Sequence, residues 1–176
     1  FSYLHSGQKI KSTVFLEEIK ATSKKDITWF ENDFLKSNKK IDYTIHKVVK
    51  KKDSVEVSIV NKRHFTAPIQ LYGLKDDEIK FKTWVSNVDS IEKIMIPKNG
   101  FDRLSLNYEF LLPELNLRNN WKNIDKKLVN RPLQLKFLKD IENPFYNQFF
   151  YTPVARYNYY DGLVGGLAFS NKTFLN

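Results

Sequence analysis

The clearest pattern in the chain is the alternation of apolar and polar residues over positions 41–60. A polar turn at 50–53 divides this stretch into two runs that are rich in β-branched side chains. Period-two alternation is typical of strands that are buried on one face, and two such runs joined by a short turn predict a β-hairpin. The residues predicted to face inward are Ile41, Tyr43, Ile45, Val49, Val55, Val57 and Ile59.

A lone hairpin is unstable in water, so further strands must cover its apolar face. Alternating or β-branched stretches predict these strands at 69–73, 78–85, 90–96, 104–110 and 115–117. Turn residues separate the stretches, and no helical pattern lies between them. The fold class predicted for residues 41–120 is therefore an antiparallel β-sandwich.

Residues 1–37 are predicted to be helical, as the end of an upstream domain. Glu17 and Glu18 are expected early in the first helix, where the helix dipole favours acids. Asp26 is expected to cap a second short helix over 27–35. The aromatic side of that helix must pack on something, either the sandwich or a missing upstream domain. That side consists of Trp29, Phe30 and Phe34.

Residues 121–176 follow a different pattern and are predicted to form a linker and the start of a β-barrel. A short helical turn is expected to begin at Pro132. It would carry Leu135, Leu138 and Ile141. The tail is predicted to form two strands around Asp161 and Gly162, with small residues on one face and large apolar residues on the other. This pattern is typical of a membrane-barrel strand, and an ordinary hairpin packed on the sandwich is the other interpretation.

The composition gives the chain a net positive charge, but the basic residues are not concentrated on one predicted strand or helix. The chain has 29 Lys+Arg against 20 Asp+Glu, a formal net charge of +9, and no cysteine. The short basic runs lie in predicted turns and linkers, so the charge is best interpreted as a solvated protein exterior. Attraction to an anionic membrane surface is the second interpretation, and binding to nucleic acid is the least expected. The chain begins at Phe1 without a leader pattern and has no membrane-helix stretch, so we expect a fragment or a processed product.

No residue pattern predicts catalysis, and we assign no catalytic, cofactor-binding or metal-binding residue. The histidines His5, His46 and His64 share no metal-ligand spacing, and no nucleophile or phosphate-loop motif occurs. Trp84 and Trp121 are expected to pack in the core or between elements rather than to stack on bases.

The order of several short motifs resembles the aminopeptidase N-type zinc metallopeptidases, from the end of their helical part into the following Ig-like sandwich. The motifs are Ile-Thr-Trp-Phe at 27–30, Phe-Leu at 34–35, Ile-Asp-Tyr-Thr-Ile at 41–45, the strand at 55–61, Ala-Pro-Ile at 67–69 and Glu-Leu-Asn-Leu-Arg-Asn-Asn at 114–120. The tail at 157–163 is similar to the entry of a β-barrel appended to envelope members of Bacteroidetes type. The likeness covers residues 27–120 and, more loosely, 143–171.

This resemblance implies an Ig-like sandwich that braces a catalytic domain and leads to a membrane anchor in the bacterial cell envelope. The zinc site would lie upstream of Phe1, so no catalytic residue is carried over and zinc is expected only there. The expected partners are that upstream domain, the membrane through the barrel, and an envelope protein complex. The alternative is an Ig-like binding or assembly module of an outer-membrane complex without peptidase activity.

Overall fold

The computed structural model describes residues 7, 11–86, 88–125 and 128–173 and is mainly β, as the sequence predicts. The helical elements are α1 (Ser12–Thr22), a π-helical segment (Phe30–Leu35) and a 3-10 turn (Arg118–Asn120). The strands are β1 (Tyr43–Lys50), β2 (Ser54–Asn61), β3 (Ile69–Lys75), β4 (Glu78–Val85), β5 (Ile91–Pro97), β6 (Arg103–Leu106), β7 (Trp121–Asn123), β8 (Leu133–Phe137), β9 (Asn147–Asn158) and β10 (Gly162–Ser170).

The first seven strands form two antiparallel sheets, with strand orders β1-β2-β5 and β4-β3-β6-β7. The chain passes between the sheets after β2, β4 and β5. One apolar core lies between them, because inward residues of both sheets belong to the same buried cluster. Its fully buried members include Tyr43, Val57, Ile59, Leu71 and Leu104. The fold class is therefore the predicted Ig-like β-sandwich.

The predicted hairpin is present, but a β-bulge changes which valine faces the core. The pairing register shifts between Ile45 and Lys47, so His46 is the extra residue. An extra residue exchanges the two faces of the strand beyond it. Val48 therefore packs against the core in place of Val49, which corrects that part of the prediction.

The strand predicted at 104–110 is shorter than expected. Asn107 ends β6 by adopting a φ of 50° and by bonding across the loop to Leu112: its Nδ2 donates to the Leu112 carbonyl at 2.7 Å, and its Oδ1 accepts the Leu112 N–H at 3.1 Å. Asparagine tolerates this left-handed conformation better than most residues. The hydrogen bonds of the Asn107 side chain to Leu112 thus end the strand, although apolar and polar residues continue to alternate beyond Asn107.

The strand predicted at 115–117 is absent. Glu114 makes one isolated bridge with Ile41, and the chain then enters the 3-10 turn at Arg118. The last strand of the sandwich is instead β7, which lies just beyond the boundary predicted at 120.

Both N-terminal helical elements form within the described residues, and the second packs on the sandwich as expected. The Asp26 carboxylate accepts the Thr28 N–H at 2.9 Å, but the N-cap position of the π-helical segment is Trp29, so Asp26 does not cap it as predicted. Trp29 packs against the sandwich core, and the ring of Phe34 lies 6.5 Å from that of the buried Phe65. Glu17 lies in the middle of α1, whose first turn contains no acid, so its predicted position was wrong.

The C-terminal residues form a three-stranded sheet with the order β10-β9-β8. The predicted hairpin is β9 and β10, which pair antiparallel. The helical turn predicted from Pro132 is wrong, because Leu133–Phe137 is strand β8, paired parallel to β9. Hydrogen bonding to the neighbouring strand thus outweighs the local preference of proline for a helix start.

Candidate functional site

One side of the C-terminal sheet is made of apolar side chains. Residues opposite each other in a ladder point to the same side, and side chains alternate along each strand. We call this side the apolar face. It consists of Leu133, Leu135 and Phe137 of β8, of Phe149, Tyr151, Pro153, Ala155 and Tyr157 of β9, and of Leu163, Gly165, Leu167 and Phe169 of β10.

The apolar face is open to solvent. Tyr157 and Leu163 are each 76% exposed, and Phe169 is 66% exposed. The face carries no charged side chain: its polar groups are the hydroxyls of Tyr151 and Tyr157, and Asn147 borders it at the start of β9. Monomeric soluble proteins rarely leave a continuous apolar surface of three strands uncovered, so this face is the first candidate for a functional site.

The opposite side of the same sheet differs in chemistry. Along the hairpin it consists of Thr152, Val154, Arg156, Asn158, Val164, Gly166, Ala168 and Ser170. Nearer the sandwich this side is covered by the segment at 138–146, whose Asn143 N–H donates to the Gln148 Oε1 at 2.8 Å. Among the described residues, no segment covers the apolar face in this way.

The turn between β9 and β10 is fixed by its own polar residues. The Asn158 Oδ1 accepts the backbone N–H groups of Tyr160 at 2.7 Å and Asp161 at 2.9 Å. Gly162 adopts a φ of 67°, which a residue with a side chain rarely adopts. This turn exposes Tyr159 and Tyr160 at the far end of the hairpin, where they are 90% and 93% exposed.

Aromatic contacts join the C-terminal sheet to the sandwich. Phe145, just before β9, lies 5.6 Å from Tyr108 and 5.9 Å from Trp121, measured between ring centroids. Trp121 is buried, which confirms the expectation that it packs between elements. Each edge-to-face pair contributes about 0.5–1.5 kcal/mol beyond its buried area.

A pocket of about 460 Å³ lies where β8 and β9 begin, and two arginines line it. Arg118 donates from Nε to the Glu142 carboxylate at 2.7 Å. Arg131 is buried and donates to the Pro144 carbonyl and to the Asn147 Oδ1, both at 2.8 Å. Burial, and next the nearby Arg118, lower the pKa of Arg131.

A larger groove of about 980 Å³ lies between the N-terminal helical residues and the sandwich. Trp29 and Trp84 line it together with polar side chains such as Asn32, Thr66 and Asp89. Trp84 is 48% exposed, so the expectation that it is a packed residue was wrong. It lies on β4, an edge strand of its sheet, with its side chain turned away from the core.

The structure does not bring the histidines together. His46 is exposed at the bulge of β1, and the His64 Nδ1 lies 3.1 Å from the Asp89 carbonyl. His5 lies outside the described residues. Within the part of the chain that the structure describes, no three His, Asp or Glu side chains are grouped as metal ligands would be.

Sequence reasoning missed β8 and the arginine pocket. Leu133, Leu135 and Phe137 alternate with polar residues, and this period-two signal predicts a strand once the proline is set aside. Nothing in the sequence indicates that Arg131 is buried, because its burial depends on the loop that ends at Asn147.

Comparisons with models of known protein families, with curated proteins and with solved structures found no significant match to this chain. Among the described residues, no helix is long and apolar enough to cross a membrane.

Proposed function

We propose that this chain is a non-catalytic scaffold that anchors a cell-envelope protein to a lipid membrane through the apolar face of its C-terminal sheet. The observation that carries the proposal is the uncovered, uncharged surface on β8, β9 and β10. Hydrocarbon is the environment in which such a surface is stable, because burying apolar area contributes about 25 cal/mol per Å².

The length of the hairpin supports this assignment. β9 has 12 residues and β10 has nine, and a tilted strand that crosses a membrane needs about 9–11. The tyrosines at the turn, Tyr157, Tyr159 and Tyr160, lie where barrel strands carry their aromatic belt. Apart from Val154 and Val164, the other side of the hairpin carries small and polar residues, which match the inward side of such strands.

Backbone pairing limits how the sheet can enter lipid. In hydrocarbon every backbone N–H and C=O must be paired, so the outer edge of β10 requires a further strand there. β8 runs parallel to β9, whereas neighbouring strands of bacterial outer-membrane barrels are antiparallel. The barrel-like part of this sheet is therefore the β9–β10 hairpin.

The family resemblance gives the proposal its setting. In that setting the sandwich braces an upstream peptidase-like domain, which carries the zinc and performs any peptide cleavage. The docked helical segment supports such a role, because Trp29 and Phe34 connect the N-terminal residues to the sandwich. No step of peptide cleavage is assigned to residues of this chain.

Vesicle flotation of the chain tests membrane anchoring. We expect the chain to float with phosphatidylcholine vesicles and the variant Leu167→Glu to stay at the bottom of the gradient, because a carboxylate on the apolar face opposes burial in hydrocarbon. Val164→Glu is the matched control, since it adds the same charge to the other side of the same strand. Equal flotation of the two variants, or none by the parent chain, would contradict the proposal.

A binding or assembly module without a peptidase partner is the second candidate, and the groove at Trp84 favours it. A half-exposed tryptophan beside polar side chains is typical of a protein-binding hot spot. Under this proposal, Trp84→Ala would abolish co-purification of an envelope partner and leave vesicle flotation unchanged. Retention of that partner by Trp84→Ala, together with its loss in Leu167→Glu, would remove this candidate.

A further inference from the structure

The arginine pocket at the base of the C-terminal sheet has an excess of positive charge. Its two guanidinium groups, Arg118 and Arg131, face a single carboxylate, Glu142, among the described residues. That carboxylate accepts a hydrogen bond from Arg118. Arg131 is 7% exposed, and the hydrogen-bond acceptors of its guanidinium are both neutral oxygens.

A buried guanidinium that donates only to neutral oxygens carries a desolvation cost that a bound anion offsets. The planar guanidinium donates two parallel hydrogen bonds to phosphate or carboxylate oxygens, which makes arginine the usual residue for recognising such groups. The pocket also presents neutral polar side chains, among them Asn130, Asn147 and Asn171. Its chemistry is therefore that of an anion site.

The pocket adjoins the apolar face directly. Leu133 and Phe149 belong to the apolar face and also line the pocket. Asn171, which follows β10, lines the same pocket, so all three strands meet it at one end of the sheet. The exposed tyrosines of the hairpin turn lie at the other end. A ligand that contacts both features must carry an anionic group next to an apolar chain.

We infer that the Arg118–Arg131 pocket binds the phosphate of an anionic phospholipid whose acyl chains lie against the apolar face. This inference rests on the proposed membrane anchoring and adds the class of lipid to it. The net charge of +9 also favours binding to anionic lipid, because basic proteins are attracted to anionic membrane surfaces.

The test compares flotation of the chain with vesicles of phosphatidylcholine alone and with vesicles in which one third of the lipid is phosphatidylglycerol. We expect binding to the anionic vesicles to be about tenfold tighter. Arg118→Gln removes one of the two guanidinium groups of the pocket, so this variant should lose most of the preference. Glu142→Gln removes the carboxylate that accepts from Arg118 and should increase the preference severalfold.

Arg63→Gln is the matched control, because it removes the same charge from an exposed loop of the sandwich. Circular dichroism and the melting temperature establish that each variant is folded. Because Arg118→Gln should lower the preference for anionic vesicles and Glu142→Gln should raise it, the pair of variants separates lipid binding from a loss of structure. A further arm adds inorganic phosphate as a competitor and measures its own binding by calorimetry.

The outcomes separate the two proposals. Equal binding to both kinds of vesicle, or an equal loss in Arg63→Gln and Arg118→Gln, would overturn the phospholipid site and leave membrane anchoring in place. No binding to either vesicle would overturn both. Binding of inorganic phosphate without any preference for anionic vesicles would assign the pocket to a free anion and overturn the lipid assignment.

Discussion

The Asp33 carboxylate accepts two hydrogen bonds from Thr66, one from its backbone N–H and one from its hydroxyl, both at 2.8 Å. The other Asp33 oxygen accepts from the Lys39 Nζ at 2.7 Å. Burial raises the pKa of Asp33, but the hydrogen bonds from Lys39 and Thr66 outweigh it and lower the pKa overall. This contact fastens the π-helical segment to the loop that precedes β3.

Asp33→Ala is expected to destabilise the chain by about 2–3 kcal/mol, because a charge-assisted interaction is lost and the Thr66 N–H is left without its acceptor. Urea denaturation measures the change, with Asp53→Ala in an exposed turn as the control. The contribution of Asp33 is present above the ordinary pKa of an aspartate and is lost as the pH falls through its lowered value. An unchanged midpoint would show that the segment is held by other contacts.

Trp29→Ala tests the docking of the helical segment on the sandwich. Trp29 is partly buried against the sandwich core, so its truncation leaves a cavity at the edge of that core. We expect a loss of about 2 kcal/mol, which lowers the melting temperature by several degrees in a chain of this size. Differential scanning calorimetry measures it, and an unchanged melting curve would disprove the docking.

The raised pKa of Glu114 predicts that the folded chain becomes less stable as the pH rises. Its carboxylate accepts the Tyr43 N–H at 3.0 Å and the Asn120 Nδ2 at 2.7 Å, and burial raises its pKa to about 7. Between the unfolded value of 4.5 and about 7 the folded state binds more protons than the unfolded state. Stability therefore decreases as the pH rises through this window, by about 3 kcal/mol at most.

Denaturation at pH values on either side of this window checks the prediction. Glu114→Gln should show little change in stability across it, whereas Glu78→Gln, at an exposed site, should keep the dependence of the parent chain. The same slope in the parent chain and in Glu114→Gln would assign the pH dependence to another group.

Gly73 is required by the close approach of Phe101. A Cβ at position 73 would lie 2.5 Å from the Phe101 ring, which is itself buried in the core. Gly73→Ala is therefore expected to cost about 1–3 kcal/mol through overpacking. Gly165→Ala is the control, because nothing lies within 4 Å of the added Cβ, and thermal unfolding should show little effect. Equal melting temperatures for the two variants would contradict the predicted clash.

The sandwich strands were predictable where alternation is strict. In β2 the inward residues Val55, Val57 and Ile59 are all fully buried, as the period-two pattern predicts. The pattern failed where a single residue altered the backbone. His46 forms a bulge, and Asn107 ends a strand by bonding to a loop five residues later.

The hairpin of β9 and β10 was predicted with its turn, because Gly162 supplies the positive φ and the flanking residues alternate. The third strand of this sheet, β8, was not predicted. Leu133–Phe137 pairs with β9 across a loop, and local preferences contain no information about that partner. The pairing of β8 extends the apolar face from two strands to three.

The sequence by itself determined the fold class, the position of most strands and the alternating chemistry of the C-terminal hairpin, because side-chain periodicity decides which face of a strand is buried. Only the tertiary structure decided that Arg131 is buried beside Arg118, that Trp84 is exposed over a groove and that β8 completes the apolar face. These features depend on contacts between residues far apart in the chain, and such contacts are set by the packing of whole elements rather than by local sequence.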